Sequence, residues 1–215
     1  MALQTLTASD LIDLFQSWKG LFAEQRDFLI ALDGKVGDSD LGITMSKAFA
    51  AAAEAVAFEG PDVGTAKLLR SAGAAMARAA PSTMGTLTAT GFLRASKAVD
   101  GDVALDTAGV AAFWRAFRDG VAERGKAKIG DKTVLDVLDP LANTLDAQAS
   151  IGGLLVEALR AAADSAQLGL ENTKLLIAQH GKAAAFQQKT LGLQDAGATV
   201  GYFLIRRMAD FVASR

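Results

Sequence analysis

Residues 9–32 read SDLIDLFQSWKGLFAEQRDFLIAL. Leu11, Leu14, Trp18, Leu21, Phe22, Phe28, Leu29 and Leu32 recur at steps of three and four, the spacing of one face of an amphipathic helix. Thr7 or Ser9 supplies an N-cap oxygen. The same period returns over 43–57, 62–80, 86–99, 107–123, 133–145, 151–168 and 196–213, with a less regular piece from Asn172. No stretch shows sustained two-residue alternation bounded by turns, so the pattern predicts no sheet. Pro140 falls inside one helical stretch and is expected to kink or split it. With short connections and no break in composition, these residues predict a single-domain all-α fold of about eight helices spanning 1–215.

Composition narrows the function classes. Net charge is −2, and no run of Lys or Arg offers a field for nucleic acid or an anionic membrane. Cysteine is absent, which excludes disulfides, thiolate catalysis and Cys-based zinc sites. MALQTLTASDLIDLF lacks the basic-then-apolar pattern of a secretory signal, and no apolar run is expected to reach the length of a membrane span. The expectation is a soluble cytoplasmic protein with neither nucleic acid nor membrane as partner.

The loop LDGKVGDSDLG, 32–42, places Asp33, Asp38 and Asp40 together just before a helix. Three like charges repel, and a hard divalent cation offsets that repulsion; Mg²⁺ favours a few carboxylates completed by phosphate oxygens and water. Gly34, Gly37 and Gly42 are expected to supply positive φ for the wrap. The following helix N-terminus would attract phosphate. A solvated turn feeding a helix fits the same residues. An EF-hand register fits poorly, since Gly42 and Phe49 fall where ligands belong.

Four further segments join helices: Pro81–Thr86, Arg124–Thr133, His180–Lys182 and Gly192–Ala198. Each alone fits a cap or a solvated loop. His180, the single histidine, is expected to cap carbonyls or face solvent, and no Walker-A spacing occurs.

In order and spacing, DGKVGDSDLG, GFLRASKAV, FRDGVAERGKAKIGDKTVLDVLDP and QHGKAAAFQQKTLGLQDAGAT resemble the nucleotide-binding L subunit of bacterial dihydroxyacetone kinases, from about Asp10 to Phe211. The resemblance implies an eight-helix antiparallel barrel with its nucleotide and Mg²⁺ site in the loops at one end. By position, Asp33, Asp38 and Asp40 would hold Mg²⁺, as two ions, against the phosphates of ATP or a tightly bound ADP. Leu41, Gly42, Ile43 and Thr44 would meet phosphate, Thr83 and Met84 phosphate and nucleoside, and Gly125 and Val134 adenine and ribose. Lys182 stands for a family arginine, and Asp195, Ala196 and Gly197 for an Asp-Pro-Gly loop. Leu41 replaces a family histidine, and Pro-Ser-Thr-Met-Gly replaces a Gly-Gly-x-Ser-Gly loop. These departures suggest a divergent branch acting on a larger ketose, and favour exchangeable ATP as donor.

The implied activity is that of a kinase acting on an alcohol group, complete only with a K-type subunit that carries the ketose. A phosphotransferase-system protein is a possible donor, and a homodimer or hetero-oligomer is expected. A fatty-acid-kinase-like nucleotide domain and a non-enzymatic regulator are the alternatives.

Overall fold

The computed structural model describes residues 3–215. Among them the chain forms α1 (Ala8–Glu24), α2 (Arg26–Asp33), α3 (Leu41–Glu59), α4 (Thr65–Ala79), α5 (Thr83–Ala98), α6 (Thr107–Gly125), α7 (Leu135–Ser150), α8 (Leu155–Asn172) and α9 (Ala196–Ala213). Two two-residue strands, β1 (Leu6–Thr7) and β2 (Ala104–Leu105), pair antiparallel. They are the one departure from an all-helical expectation, too short to carry an alternating pattern.

Each helix packs on the next: α1 on α3, then α3 on α4, α4 on α5, and so on to α9, which returns against α1. The result is a closed ring of eight antiparallel helices, with α2 continuing α1 and lying on α3. Closure buries the apolar stripe of each helix toward one axis. Phe92 sits at the centre, its ring meeting Phe15, Trp18, Phe49, Phe113 and Phe117 at centroid distances of 5.2–6.2 Å. Such edge-on and tilted contacts favour the ring quadrupoles beyond the area buried. The two indole N–H groups both donate to α9, Trp18 Nε1 to the Leu204 carbonyl at 3.1 Å and Trp114 Nε1 to the Met208 sulfur at 3.4 Å.

The helix over 9–32 is interrupted at Gln25 (φ −87°, ψ 4°). The interruption carries α2 across the start of α3, where a Cβ added at Gly42 would fall 2.0 Å from the Arg26 carbonyl oxygen. Only glycine permits that approach. Stretch 62–80 divides into a 3₁₀ turn, Pro61–Val63, and α4. Helices α3 and α5 begin earlier than expected, and α7 and α8 begin and end later. The piece after Asn172 resolves into 3₁₀ turns at Thr173–Leu175 and Lys182–Thr190.

Pro140 neither ends nor splits α7. It forfeits only the bond to the Asp136 carbonyl, near the helix start. Helix α8 passes so close there that a Cβ at Gly169 would lie 2.3 Å from the Asp136 oxygen. The expectation that no apolar stretch reaches membrane-spanning length is corrected for α3, which is long and apolar enough by composition. It is a wall of the ring, packed on α1, α2 and α4.

Candidate functional site at one mouth of the ring

Because neighbours run antiparallel, α3, α5, α7 and α9 all begin at the same end. Their starts, with the ends of α2, α4 and α6 and the segment 180–183 that follows α8, surround a cavity of about 910 Å³. That volume is within the range of small-molecule and cofactor pockets, roughly 300–1,000 Å³. Four helix N-termini there give the mouth a positive backbone field. Leu32, Val36, Met84, Leu87, Val121, Val134 and Leu135 line apolar parts of it; Asp33, Asp38, Asp40, Ser82, Thr83, Arg124, His180, Lys182 and Asp195 supply the polar groups.

The aspartate triad is assembled. One carboxylate oxygen from each of Asp33, Asp38 and Asp40 lies within 4.8 Å of the others. The glycines do not provide the left-handed backbone. Gly34, Gly37 and Gly42 all lack positive φ, and the turn is made instead by Ser39 at φ 62°. Asp40 N–H donates to Asp33 Oδ2 at 3.1 Å, which ties the two ends of the loop. Burial, then Asp38, then Asp33 push the Asp40 carboxyl up. Lys182 reaches in from the far side to pair with Asp38, and that bond holds its ammonium above the usual lysine range.

This donor set fits a hard divalent cation. Octahedral Mg²⁺ with oxygens at about 2.0–2.1 Å spaces its ligands roughly 3–4 Å apart. Binding would draw the three oxygens inward from their present separations of within 4.8 Å, and the repulsion marked by Asp40 opposes that contraction until a cation is present. Asp40 makes no side-chain cap to α3, so the N–H groups of Leu41, Gly42 and Ile43 have no helical acceptor. Uncapped donors beside a carboxylate cluster suit an anion carried by a metal.

The structure brings Asp33, Asp38, Asp40, Leu41, Thr83, Met84, Gly125, Val134, Lys182, Asp195, Ala196 and Gly197 to the cavity wall. Gly42, Ile43 and Thr44 do not line it. Gly42 and Thr44 are buried and Ile43 is partly exposed. Any part they take in a ligand site at the mouth falls to their backbone N–H groups at the start of α3 rather than to side chains in the cavity wall.

Several groups here escaped sequence reading. Asp136 accepts from Gly130 N at 2.6 Å and from Thr133 N at 2.7 Å, so one buried carboxylate shapes the whole 126–134 loop. Asp131 accepts from Lys128 N at 2.7 Å, the main cause of its lowered pKa, and pairs with His180 Nε2 at 2.9 Å. His180 therefore meets a carboxylate at the cavity rather than capping carbonyls. Lys132 is buried, and its ammonium is surrounded by carbonyl oxygens. Taken alone, Arg124–Thr133 fits a cap or a solvated loop, and neither reading buries Lys132.

A family model described as the DAK2 domain matches residues 35–210. The chain belongs to the DAK2 domain family. The ADP-binding subunit DhaL of a PEP-dependent dihydroxyacetone kinase from Escherichia coli is 28% identical over 206 residues, covering 95% of this chain and 97% of that one. A counterpart from Listeria innocua is 31% identical over 185 residues, 86% of this chain and 87% of the other. An L-erythrulose kinase from Pectobacterium atrosepticum is 33% identical over 168 residues, but this chain spans only 28% of its length. In fold, the dihydroxyacetone kinase of C. freundii in complex with AMP-PNP and Mg²⁺ superposes with a TM-score of 0.73 at 25% identity, over 93% of this DAK2-family chain and 33% of that one. The all-α DhaL-like fold expected from the sequence is thus established.

Proposed function

We propose that this chain is the Mg²⁺- and nucleotide-binding half of a two-component ketose kinase, with the ketose held on a separate K-type subunit. The observation that carries the reading is the carboxylate triad within 4.8 Å at a mouth ringed by four helix N-termini. Its relatives of similar length are named as ADP-binding kinase subunits, which supports it. Bound Mg²⁺ supplies charge neutralisation for phosphoryl transfer. Asp33, Asp38 and Asp40 hold it. The backbone donors at Leu41–Ile43 and the loop at Thr83 and Met84 orient the phosphates. Met84, Leu87, Gly125 and Val134 would enclose the nucleoside, and the Lys182 ammonium, now paired with Asp38, would be available to the phosphates. No side chain of this set need act as a base, because alignment and electrostatics dominate this chemistry.

The phosphoryl source is either exchangeable ATP or a retained ADP recharged by a phosphotransferase-system protein. The relatives matched over most of their length carry PEP- or PTS-dependence in their names, which favours the second. Retention of nucleotide through gel filtration separates the two. The reading also entails a cytoplasmic location and a hetero-oligomer with the K-type partner.

Calorimetry with Mg·ATP and Mg·ADP tests the site: wild type binds, and Asp38→Ala and Asp40→Ala bind neither while remaining folded. Unchanged affinity in either variant overturns the metal assignment. Incubated alone with ATP, Mg²⁺ and three- to five-carbon ketoses, the protein yields no sugar phosphate above background, and a K-type partner restores turnover. Robust turnover by the isolated chain overturns the two-component reading.

A further inference from the structure

Residues 173–194 cross one side of the cavity with little regular structure. Of its two 3₁₀ stretches the second is interrupted at Gln187 (φ 45°), and Leu175, Phe186 and Leu191 face solvent. Such a strap buries too little apolar surface to hold itself. What it does have is Lys132. This side chain is 2% exposed. Its Nζ donates to the carbonyls of Thr173 at 2.6 Å, Leu176 at 3.2 Å, Thr190 at 2.8 Å and Leu193 at 2.6 Å. Four oxygens share three ammonium protons, an arrangement resembling the carbonyl cage of a bound monovalent cation.

The remaining ties of the strap gather around the same point. Ala178 N–H donates to Thr190 Oγ1 at 3.0 Å, Gly192 N–H to the Lys174 carbonyl at 2.7 Å, and Gln179 N–H to the Asp131 carbonyl at 3.0 Å. Asp195 N–H donates to Thr173 Oγ1 at 3.1 Å. Lys132 itself adopts φ 60°, a left-handed conformation that L-residues with long side chains rarely take. The surroundings therefore enforce the inward side chain at a local conformational cost. Burial lowers the lysine's pKa, and Asp195 and Asp136 oppose that effect. At the strap's cavity edge stand His180, Lys182 and Asp195.

We infer that Lys132 is a positioning residue: its ammonium is the internal cation around which the 173–194 strap folds, and it thereby sets Lys182 and His180 opposite the carboxylate triad. The inference rests on the nucleotide-site reading above for its consequence, but not for its structure.

Lys132→Met keeps the length and removes the charge. In the nucleotide-free variant, hydrogen exchange accelerates at least tenfold at the amides of Ala178, Gln179 and Gly192, while the ring helices keep wild-type protection. Mg·ADP affinity falls at least tenfold, mainly through faster dissociation. Mn²⁺ binding to the triad alone does not fall, because a loosened strap also releases Lys182 from Asp38. A merely structural lysine would depress both ligands together. Unchanged strap exchange, or an Mg·ADP affinity equal to wild type, overturns the inference. If wild type binds no nucleotide, the function reading fails while the exchange experiment still decides the clasp. Should Lys132→Met not fold, Lys132→Arg is put through the same exchange and binding measurements. Loosening confined to the strap supports the clasp, and native exchange with native affinity refutes it.

Discussion

Asp195 caps α9 from inside the mouth, its Oδ1 accepting from Ala198 N at 2.7 Å. Desolvation dominates its titration. Against the opposing pull of the Ala198 amide and Lys132, its carboxyl is pushed up to about 6, from 3.8 when unperturbed. A raised carboxyl pKa means that the folded state disfavours the charge. Below about pH 3.8 Asp195 is protonated folded or unfolded and costs nothing. Between 3.8 and 6 the unfolded chain ionises first, and stability is lost as pH rises. Above about 6 the full cost is present, the difference of 6 and 3.8 multiplied by about 1.36 kcal/mol per unit, or about 3 kcal/mol. Asn keeps the capping oxygen and cannot ionise. Asp195→Asn is therefore expected to be more stable than wild type by up to about 3 kcal/mol at pH 7 and by little near pH 4. Urea unfolding of both proteins at half-unit steps from pH 4 to 7.5 gives the difference directly. Asp131 and Glu59, whose carboxyls are lowered, tilt both curves the opposite way and cancel in the difference. A difference independent of pH, or one that shrinks on going from pH 4 to 7, refutes the reasoning.

Lys182→Ala removes the ammonium that pairs with Asp38, so Mn²⁺ alone binds more tightly and Mg·nucleotide more weakly. Two titrations of opposite sign check it, and a loss in both would mean that Lys182 does not compete with metal. Mg·nucleotide raises the thermal midpoint by mass action on the folded state, and nucleotide without metal does much less, since its phosphates then face three carboxylates. Equal shifts in a dye-melting experiment would contradict this. Gly42→Ala drives a Cβ to within 2.0 Å of the Arg26 carbonyl and costs about 1–3 kcal/mol as α2 is pushed off α3, typical of overpacking. A chemical-denaturation midpoint equal to wild type would refute that crowding.

Much of the architecture was legible because a three-to-four residue period fixes both helix and buried face. Leu11, Leu14, Trp18 and Phe22 are all buried, as their spacing required. The interruption at Gln25 was not legible. Leu21 and Phe22 stay in helical register with Phe28 and Leu29 across the polar run 24–27, so the period continues while the helix breaks, and the close approach of Arg26 to Gly42 is a tertiary contact that no local pattern records. The triad was legible as a chemical oddity, but the residue that turns its backbone is Ser39, where local sequence favours a neighbouring glycine. Lys132 and Asp136 stayed hidden for a shared reason. Each looks like an ordinary charge at a helix entrance, and only the arrival of residues 173–194 and of the 126–134 loop turns it inward.

The closed ring has one joint that sequence neighbours cannot make. Successive walls of the ring are neighbours in sequence, but α1 meets α9 only after nearly the whole chain has been ordered. Loop-closure entropy falls on that joint. Substitutions along it are accordingly expected to act mostly on the unfolding rate, unless it forms early. Both indoles donate to α9, Trp18 from α1 across 186 positions and Trp114 from α6 across 94. The protein thus carries its own optical probe: tryptophan emission reports the docking of the last helix, and stopped-flow fluorescence follows the seam while far-ultraviolet dichroism follows the hairpins.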